Sequence, residues 1–154
     1  MFKVINILIL IFFLSVNFAH SKVLKPNKTI EPINVVKIQL NGLMKNDSSY
    51  KDKGIEQTWA FAHPSNKMFT GPIERFKDMI KGDSYKMLLN HKGHKIDEIY
   101  SDEKTVIFEV VVMDSEKKYF MFKWQVEKYL DNGPLKNCWL TTVVSAPIAL
   151  GSSI

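Results

Sequence analysis

The chain has 154 residues, enough for one domain with a sizeable core and too few for several. Hydrophobic residues make up 45% and charged residues 24%, with 12% aromatic, which excludes an intrinsically disordered chain. The net charge of +5 is mild, its signs are interspersed and Arg75 is the only arginine, so neither nucleic-acid binding nor a site built on several guanidinium forks is expected.

Residues 1–21 read as a secretory signal peptide. Lys3 precedes an apolar run, residues 4–14, broken only by Asn6; a more polar stretch then ends in the small residues Ala19 and Ser21. Basic, apolar, then small is the order of a cleavable signal, with the cut after Ser21. The run is well short of the ~20 apolar residues that span a bilayer. After cleavage no membrane attachment is expected, and the destination is the extracellular space or an endomembrane lumen, or an organelle reached through that pathway. Residues 22–31 form an extended basic leader, with Lys22, Lys25, Lys28 and Pro26, expected to be mobile. It could alternatively act as a second address signal. Two sequons, at Asn27 and Asn46, fall in polar stretches and are candidate glycosylation sites.

A single domain is expected over residues 32–148, followed by a C-terminal tail, 149–154. The first helix starts near Pro32, since proline suits a first helical position, and Ile33, Val36, Leu40, Leu43 and Met44 repeat at a helical period. Residues 46–53 are polar and should form a loop. Ile55, Trp59 and Ala62 make a second short apolar face, ended by Pro64, which forces His63 out of helical geometry. A third helix has Gly71 and Pro72 at its start, Glu74 in its first turn, Ile73, Phe76, Met79 and Ile80 as its buried stripe, and Gly82 as its stop.

From Lys92 the period changes to two. A weak strand at 95–100 precedes 104–114, which is apolar on alternate and intervening positions and is expected to be buried on both faces. Residues 119–129 alternate, with Phe120, Phe122, Trp124 and Val126 inward and Lys123, Gln125 and Glu127 outward. A hairpin at 114–117 joins these two strands, a turn at 131–134 follows, and residues 138–145 make the last strand, stopped by Pro147. The expectation is therefore an α+β fold, with N-terminal helices packed on a curved antiparallel sheet of about four strands.

Four local motifs carry a resemblance. They are Gly54-Ile55-Glu56-Gln57-Thr58-Trp59-Ala60-Phe61-Ala62-His63-Pro64, Thr70-Gly71-Pro72-Ile73-Glu74-Arg75-Phe76, Tyr85 with Leu88-Leu89-Asn90-His91, and Cys138-Trp139-Leu140-Thr141. Together they resemble a domain-of-unknown-function family of bacteria, algae and plants in the nuclear-transport-factor-2-like superfamily, also called SnoaL-like or cystatin-like cone, over roughly residues 33–148. The resemblance implies a cone-shaped α+β fold whose concave sheet and helices enclose an apolar pocket, and by analogy a homodimer through the open sheet face. It implies no particular activity, because the superfamily includes isomerases, dehydratases, hydrolases and domains that only bind partners.

The residues themselves offer several candidates. Trp59, Phe61, Phe108, Phe120, Phe122 and Trp124 could line such a pocket or simply fill the core. His63, His91 and His94 could supply a general base, or could fix loops through hydrogen bonds to the backbone. Glu109 interrupts an apolar strand and is the best single candidate for a base; alternatively it pairs with a lysine such as Lys123 on the neighbouring strand. Arg75 could bind an anionic group of a ligand or tie its helix to a loop. His91 and His94 with His63 and Cys138 could supply four zinc ligands, but the spacing matches no zinc pattern, so no metal is expected. Cys138, the lone cysteine, excludes an intramolecular disulfide and reads as a buried thiol, with a nucleophile or an intermolecular bridge as the other readings. No phosphate loop, nucleophile elbow or carboxylate cluster is present, so no cofactor is indicated. The reading favoured is a small-ligand binding or protein-interaction module of the secretory route. The alternative is a cofactor-free lyase, isomerase or hydrolase using a pocket histidine or Glu109.

Overall fold

The computed structural model describes residues 22–152; the signal-peptide reading of residues 1–21 lies outside them. Four helices precede the sheet: α1 (Pro32–Met44), α2 (Lys53–Ala60), α3 (Pro64–Thr70) and α4 (Ile73–Lys81). A 3₁₀ turn, Lys86–Leu88, leads to five strands: β1 (Gly93–Ser101), β2 (Thr105–Met113), β3 (Lys118–Lys128), β4 (Trp139–Val144) and β5 (Ile148–Ser152).

The helix boundaries follow from local chemistry. Pro32 opens α1, and the stripe Val35, Val36, Gln39, Leu40 and Leu43 is buried against the sheet. Helix α2 crosses α1 where Gly54 meets Gly42. A β-carbon on Gly54 would lie 2.0 Å from the Gly42 carbonyl oxygen, so only glycine lets the two backbones approach this closely. The expected helix end at Pro64 is correct for α2, but Pro64 also starts α3, which the sequence reading missed. His63 Nδ1 caps α3 by accepting from the Ser65 backbone N–H at 3.1 Å, and Gly71, at φ +79°, ends it. The stem of Arg75 lies over Gly71, where a β-carbon would be 2.7 Å from its Cδ.

All strand pairings are antiparallel, in the order β1-β2-β3-β4. The long strand β3 is flanked on one edge by β2 and on the other by β4 and then β5. Register shifts at Glu98/Tyr100, Tyr119/Phe120 and Gln125/Val126 insert the extra residues that bend strands and curve a sheet. Strand β5 corrects the tail reading of 149–154. Pro147 breaks the ladder, but Phe120 and Met121 pair with Ala149 and Ile148 beyond it. A proline interrupts one position and does not prevent a strand from resuming.

The core lies between the helices and one face of the sheet. Val106, Phe108, Val110 and Val112 from β2 and Phe122, Trp124 and Val126 from β3 are buried against Val36, Leu40, Ile55 and Phe61. The other face is not covered. The intervening residues of β2, Ile107, Glu109, Val111 and Met113, are only partly buried, which corrects the expectation that this strand is buried on both sides. The leader takes an extended course, and the Gln57 side chain holds it as a strand edge would. Its Oε1 accepts from Leu24 N–H at 2.8 Å and its Nε2 donates to Leu24 C=O at 2.9 Å, so the segment expected to be mobile is pinned there.

Candidate functional site

A partly open cavity of about 90 Å³ lies between the helices and the β3–β4 half of the sheet. Leu43, Ala62, Phe76, Met79, Ile80, Leu88, Trp124 and Val144 supply its apolar walls. Its floor is a buried polar network. Gln39 Oε1 accepts from Trp124 Nε1–H at 2.9 Å and from the Thr141 hydroxyl at 2.6 Å, while Gln39 Nε2 donates to Thr58 C=O at 3.0 Å. The Thr58 hydroxyl in turn donates to Gly54 C=O at 2.9 Å. A primary amide has two N–H donors and Thr58 C=O takes one, so Gln39, which lines the cavity, has a second N–H with no partner among the described residues.

Polar groups on the cavity's other sides are less committed. Asn66 Nδ2 reaches Thr141 C=O only at 3.4 Å, and the Tyr85 hydroxyl reaches Val144 C=O at 3.3 Å, both long for good hydrogen bonds. Thr70 donates to Asn66 C=O at 3.0 Å. Among the described residues no carboxylate, imidazole, amine or thiol lines the cavity, and the Tyr85 phenol is the only ionisable group that does. The arrangement can exclude water from an apolar group and offer it one or two neutral hydrogen bonds. It supplies no acid–base pair.

The sequence candidates are dispersed around this space. Trp124 lines it, whereas Phe61, Phe108 and Phe122 are fully buried core. Trp59 packs tilted against Phe76, ring centroids 5.0 Å apart, and does not line the cavity. Arg75 is exposed on α4 and makes no hydrogen bond or ion pair with the described residues, so it ties down no loop.

Glu109 does not face the cavity. It stands opposite Lys123 on β3 and Asp97 on β1, on the uncovered face, whereas His94 is paired with Val112 on the core face. Alternation along a strand separates them, so Glu109 and the histidine cannot act on one substrate. His63 is a helix cap. A backbone N–H can only donate, so Nδ1 carries the lone pair, and the Ser65 hydroxyl also lies 2.6 Å from it. Burial lowers the pKa of His63 despite the opposing pull of Glu127 and Asp131.

His91 and His94 meet, because His91 precedes β1 and the chain turns between them. His91 Nδ1 is 2.7 Å from Leu88 C=O and must therefore carry a proton, and His91 Nε2 is 2.8 Å from His94 Nδ1. With both rings neutral, His94 Nδ1–H donates to His91 Nε2. Burial lowers the pKa of both. Among the described residues no group of three or more His, Cys, Asp or Glu is placed to hold a metal ion. Cys138 is buried, and burial pushes its thiol pKa up, against nucleophilic use.

Of the two sequons, Asn27 is exposed, with its Oδ1 accepting from Thr29 N–H and hydroxyl. Asn46 is 3% exposed, and its Oδ1 accepts from Ile55 N–H while its Nδ2 donates to Asp47. It organises the α1–α2 loop, so it is not a glycan acceptor in the folded chain.

Sequence reasoning missed Gln39, Thr58, Asn66, Thr70, Tyr85 and Thr141. The available signal was Gln39, which sits in register with Val36, Leu40 and Leu43 and so had to be buried with a polar group to satisfy. No family model matches the chain, and neither the curated proteins nor the solved structures include one similar to it. Among the described residues no helix is long and apolar enough to cross a membrane.

Proposed function

We propose that the protein is a binding module for a small uncharged molecule, or for the apolar end of a larger one, in the cavity above Gln39. The observation that carries this is the pairing of apolar walls with a spare Gln39 N–H and no ionisable group beyond Tyr85. A cavity of about 90 Å³ is smaller than the ~150 Å³ that accommodates benzene, so the enclosed part of the ligand is a few heavy atoms. The lyase, isomerase or hydrolase reading receives no support from the cavity, since Glu109, His63 and His94 do not line it. The helices-first order and the curved open sheet are compatible with a nuclear-transport-factor-2-like relationship, and the opening apolar segment supports a secretory route.

Native mass spectrometry of the protein purified from its host, with and without Val144→Phe, tests this reading. Val144 lines the cavity and is only partly buried, so a larger ring there closes the space with little strain on the core. A reproducible extra mass on the wild type that is lost in the variant supports the reading. A bare wild type, or an extra mass indifferent to Val144→Phe, overturns it.

A second copy of this chain is the occupant we propose for the uncovered sheet face. Ile107, Val111, Met121 and Ile148 alternate there with Lys123, Glu109, Lys95 and Asp97. A face that carries both charge signs among apolar residues can complement itself across a two-fold axis. Sedimentation velocity should show a dimer that Val111→Lys dissociates; a wild-type monomer at high micromolar concentration rules this out.

A further inference from the structure

A second, outward-facing cleft of about 520 Å³ runs between the leader, α2, α3 and α4. Its middle is apolar, formed by Val23, Trp59, Ala60, Ile73 and Leu135. Its two ends differ in charge. At one end Lys77 lies 3.2 Å from Glu56 and 3.4 Å from Glu74, so its ammonium is fully compensated. At the other end stand Lys25 and Lys67, and among the described residues neither has an ion pair or hydrogen bond. Lys67 is partly buried, with its ammonium 5.2 Å from the Trp59 ring centroid.

Lys67 is thus partly withdrawn from water while Lys25, on the leader, is exposed beside the same cleft. The Trp59 ring face attracts the partly buried Lys67 ammonium, and the like charge of Lys25 nearby works against it. The leader carrying Lys25 is nevertheless held in place by the paired hydrogen bonds of Gln57 to Leu24. An anion seated between the two ammoniums would compensate both, and an apolar body attached to it would lie along Trp59 and Ile73. Lysine ammoniums act as compact charges without the planar fork of arginine, so they select for charge and not for a particular oxyanion geometry.

We propose that the cleft formed by Lys25, Lys67 and Trp59 binds an organic monoanion with an apolar body, such as an aromatic carboxylate. The acidic pair Glu56 and Glu74 at the opposite end disfavours a ligand with a second negative charge there. This site is separate from the cavity above Gln39, and either can exist without the other.

The test is an NMR titration of the purified protein with benzoate, and in parallel with its neutral counterpart benzyl alcohol, following the indole N–H signals. Benzoate should shift the Trp59 signal saturably. The Trp139 signal serves as an internal control, since Lys128 sits 4.9 Å from that ring and Trp139 does not line this cleft. Lys67→Met should weaken benzoate at least tenfold, and added salt should weaken it in the wild type. Lys25→Met, on the leader, provides the same test should Lys67→Met perturb the fold. The proposal fails if benzoate leaves Trp59 unmoved at tens of millimolar, if benzyl alcohol binds equally well, or if both lysine variants bind benzoate like the wild type.

Discussion

The two faces of the sheet carry the same strands and opposite chemistry. On the helix side, every buried polar side-chain atom among the described residues has a partner, and Gln39, Trp124, Thr141 and Thr58 form one connected network. On the outer side, Glu109, Lys123, Asp97 and Lys95 stand among half-exposed apolar residues that no element covers. The covered face therefore holds the stability and the cavity, while the outer face holds the charge. A substitution of the same size should cost far more on the first face than on the second.

The largest effect is expected at the helix crossing above the covered face. Gly54→Ala places a β-carbon 2.0 Å from the Gly42 oxygen and 2.5 Å from its carbon, both backbone atoms that cannot rotate away. Separating α1 from α2 should cost about 3 kcal/mol or more, read as a lowered midpoint of urea unfolding. Gln39→Leu comes next. It deprives the Trp124 N–H of its 2.9 Å acceptor, leaving only Thr141 Oγ1 at 3.3 Å, and frees the Thr58 carbonyl from its side-chain donor. A loss of about 2–3 kcal/mol is expected, against about 1 kcal/mol for Thr141→Val, which removes a single hydroxyl and leaves the Gln39–Trp124 bond. Equal losses for the two variants would show that the network is not held together through Gln39.

The histidines sharpen the comparison by pH. Burial depresses the pKa of His91, His94 and His63, so the unfolded chain binds protons first as the pH falls. Stability contributed by the neutral rings is complete above the ordinary histidine value of about 6.5 and is lost below it. A second proton on the His91–His94 pair would set two N–H groups against each other across 2.8 Å. Thermal unfolding should therefore weaken from pH 7 to pH 5, and His94→Gln should flatten that slope in part, with His91 and His63 supplying the remainder. Asp52 acts in a separate, more acidic window. The Lys81 ammonium at 2.7 Å holds its carboxyl below the usual range, so its contribution persists until the pH falls through that range. An unchanged slope in His94→Gln would mean that the pair does not titrate as one unit.

Much of the fold was legible because the period of the sequence changes once. The 3.6-residue spacing of Val36, Leu40 and Leu43 and the two-residue spacing of Phe120, Phe122, Trp124 and Val126 located α1 and β3 closely. What escaped the sequence depended on partners distant in the chain. Helix α3 was hidden because Pro64 reads as a stop for α2 and is equally a start for the next helix. Strand β5 was hidden because it is stabilised only by pairing with β3. The outer face of β2 looked like core because Ile107, Val111 and Met113 are apolar, and residue type alone does not say whether anything covers them. The cavity was less legible still. Its polar groups come from three helices, a loop and two strands, and Asn66, Thr70 and Thr141 are ordinary residues until the fold brings them together. The glutamate and histidines that looked chemical are spread over both faces of the sheet and a helix cap.

The smallest effect is expected at the residue that the sequence marked most strongly. Glu109→Gln keeps shape and removes charge from a partly buried position facing Lys123 and Asp97. Cross-strand charge pairs contribute roughly 0.2–1 kcal/mol, and loss of the attraction to Lys123 is offset by relief of the repulsion from Asp97. A net change within about 0.5 kcal/mol is expected in urea unfolding. The ligand mass retained in native mass spectrometry should be unaltered, because the side chain and the cavity lie on opposite faces of β2. A loss of that mass without a loss of stability would place Glu109 in communication with the cavity through the strand, and would return the acid–base reading to consideration. A gain in stability would show that the repulsion from Asp97 outweighs the attraction to Lys123, and that this face tolerates the strain until something else covers it.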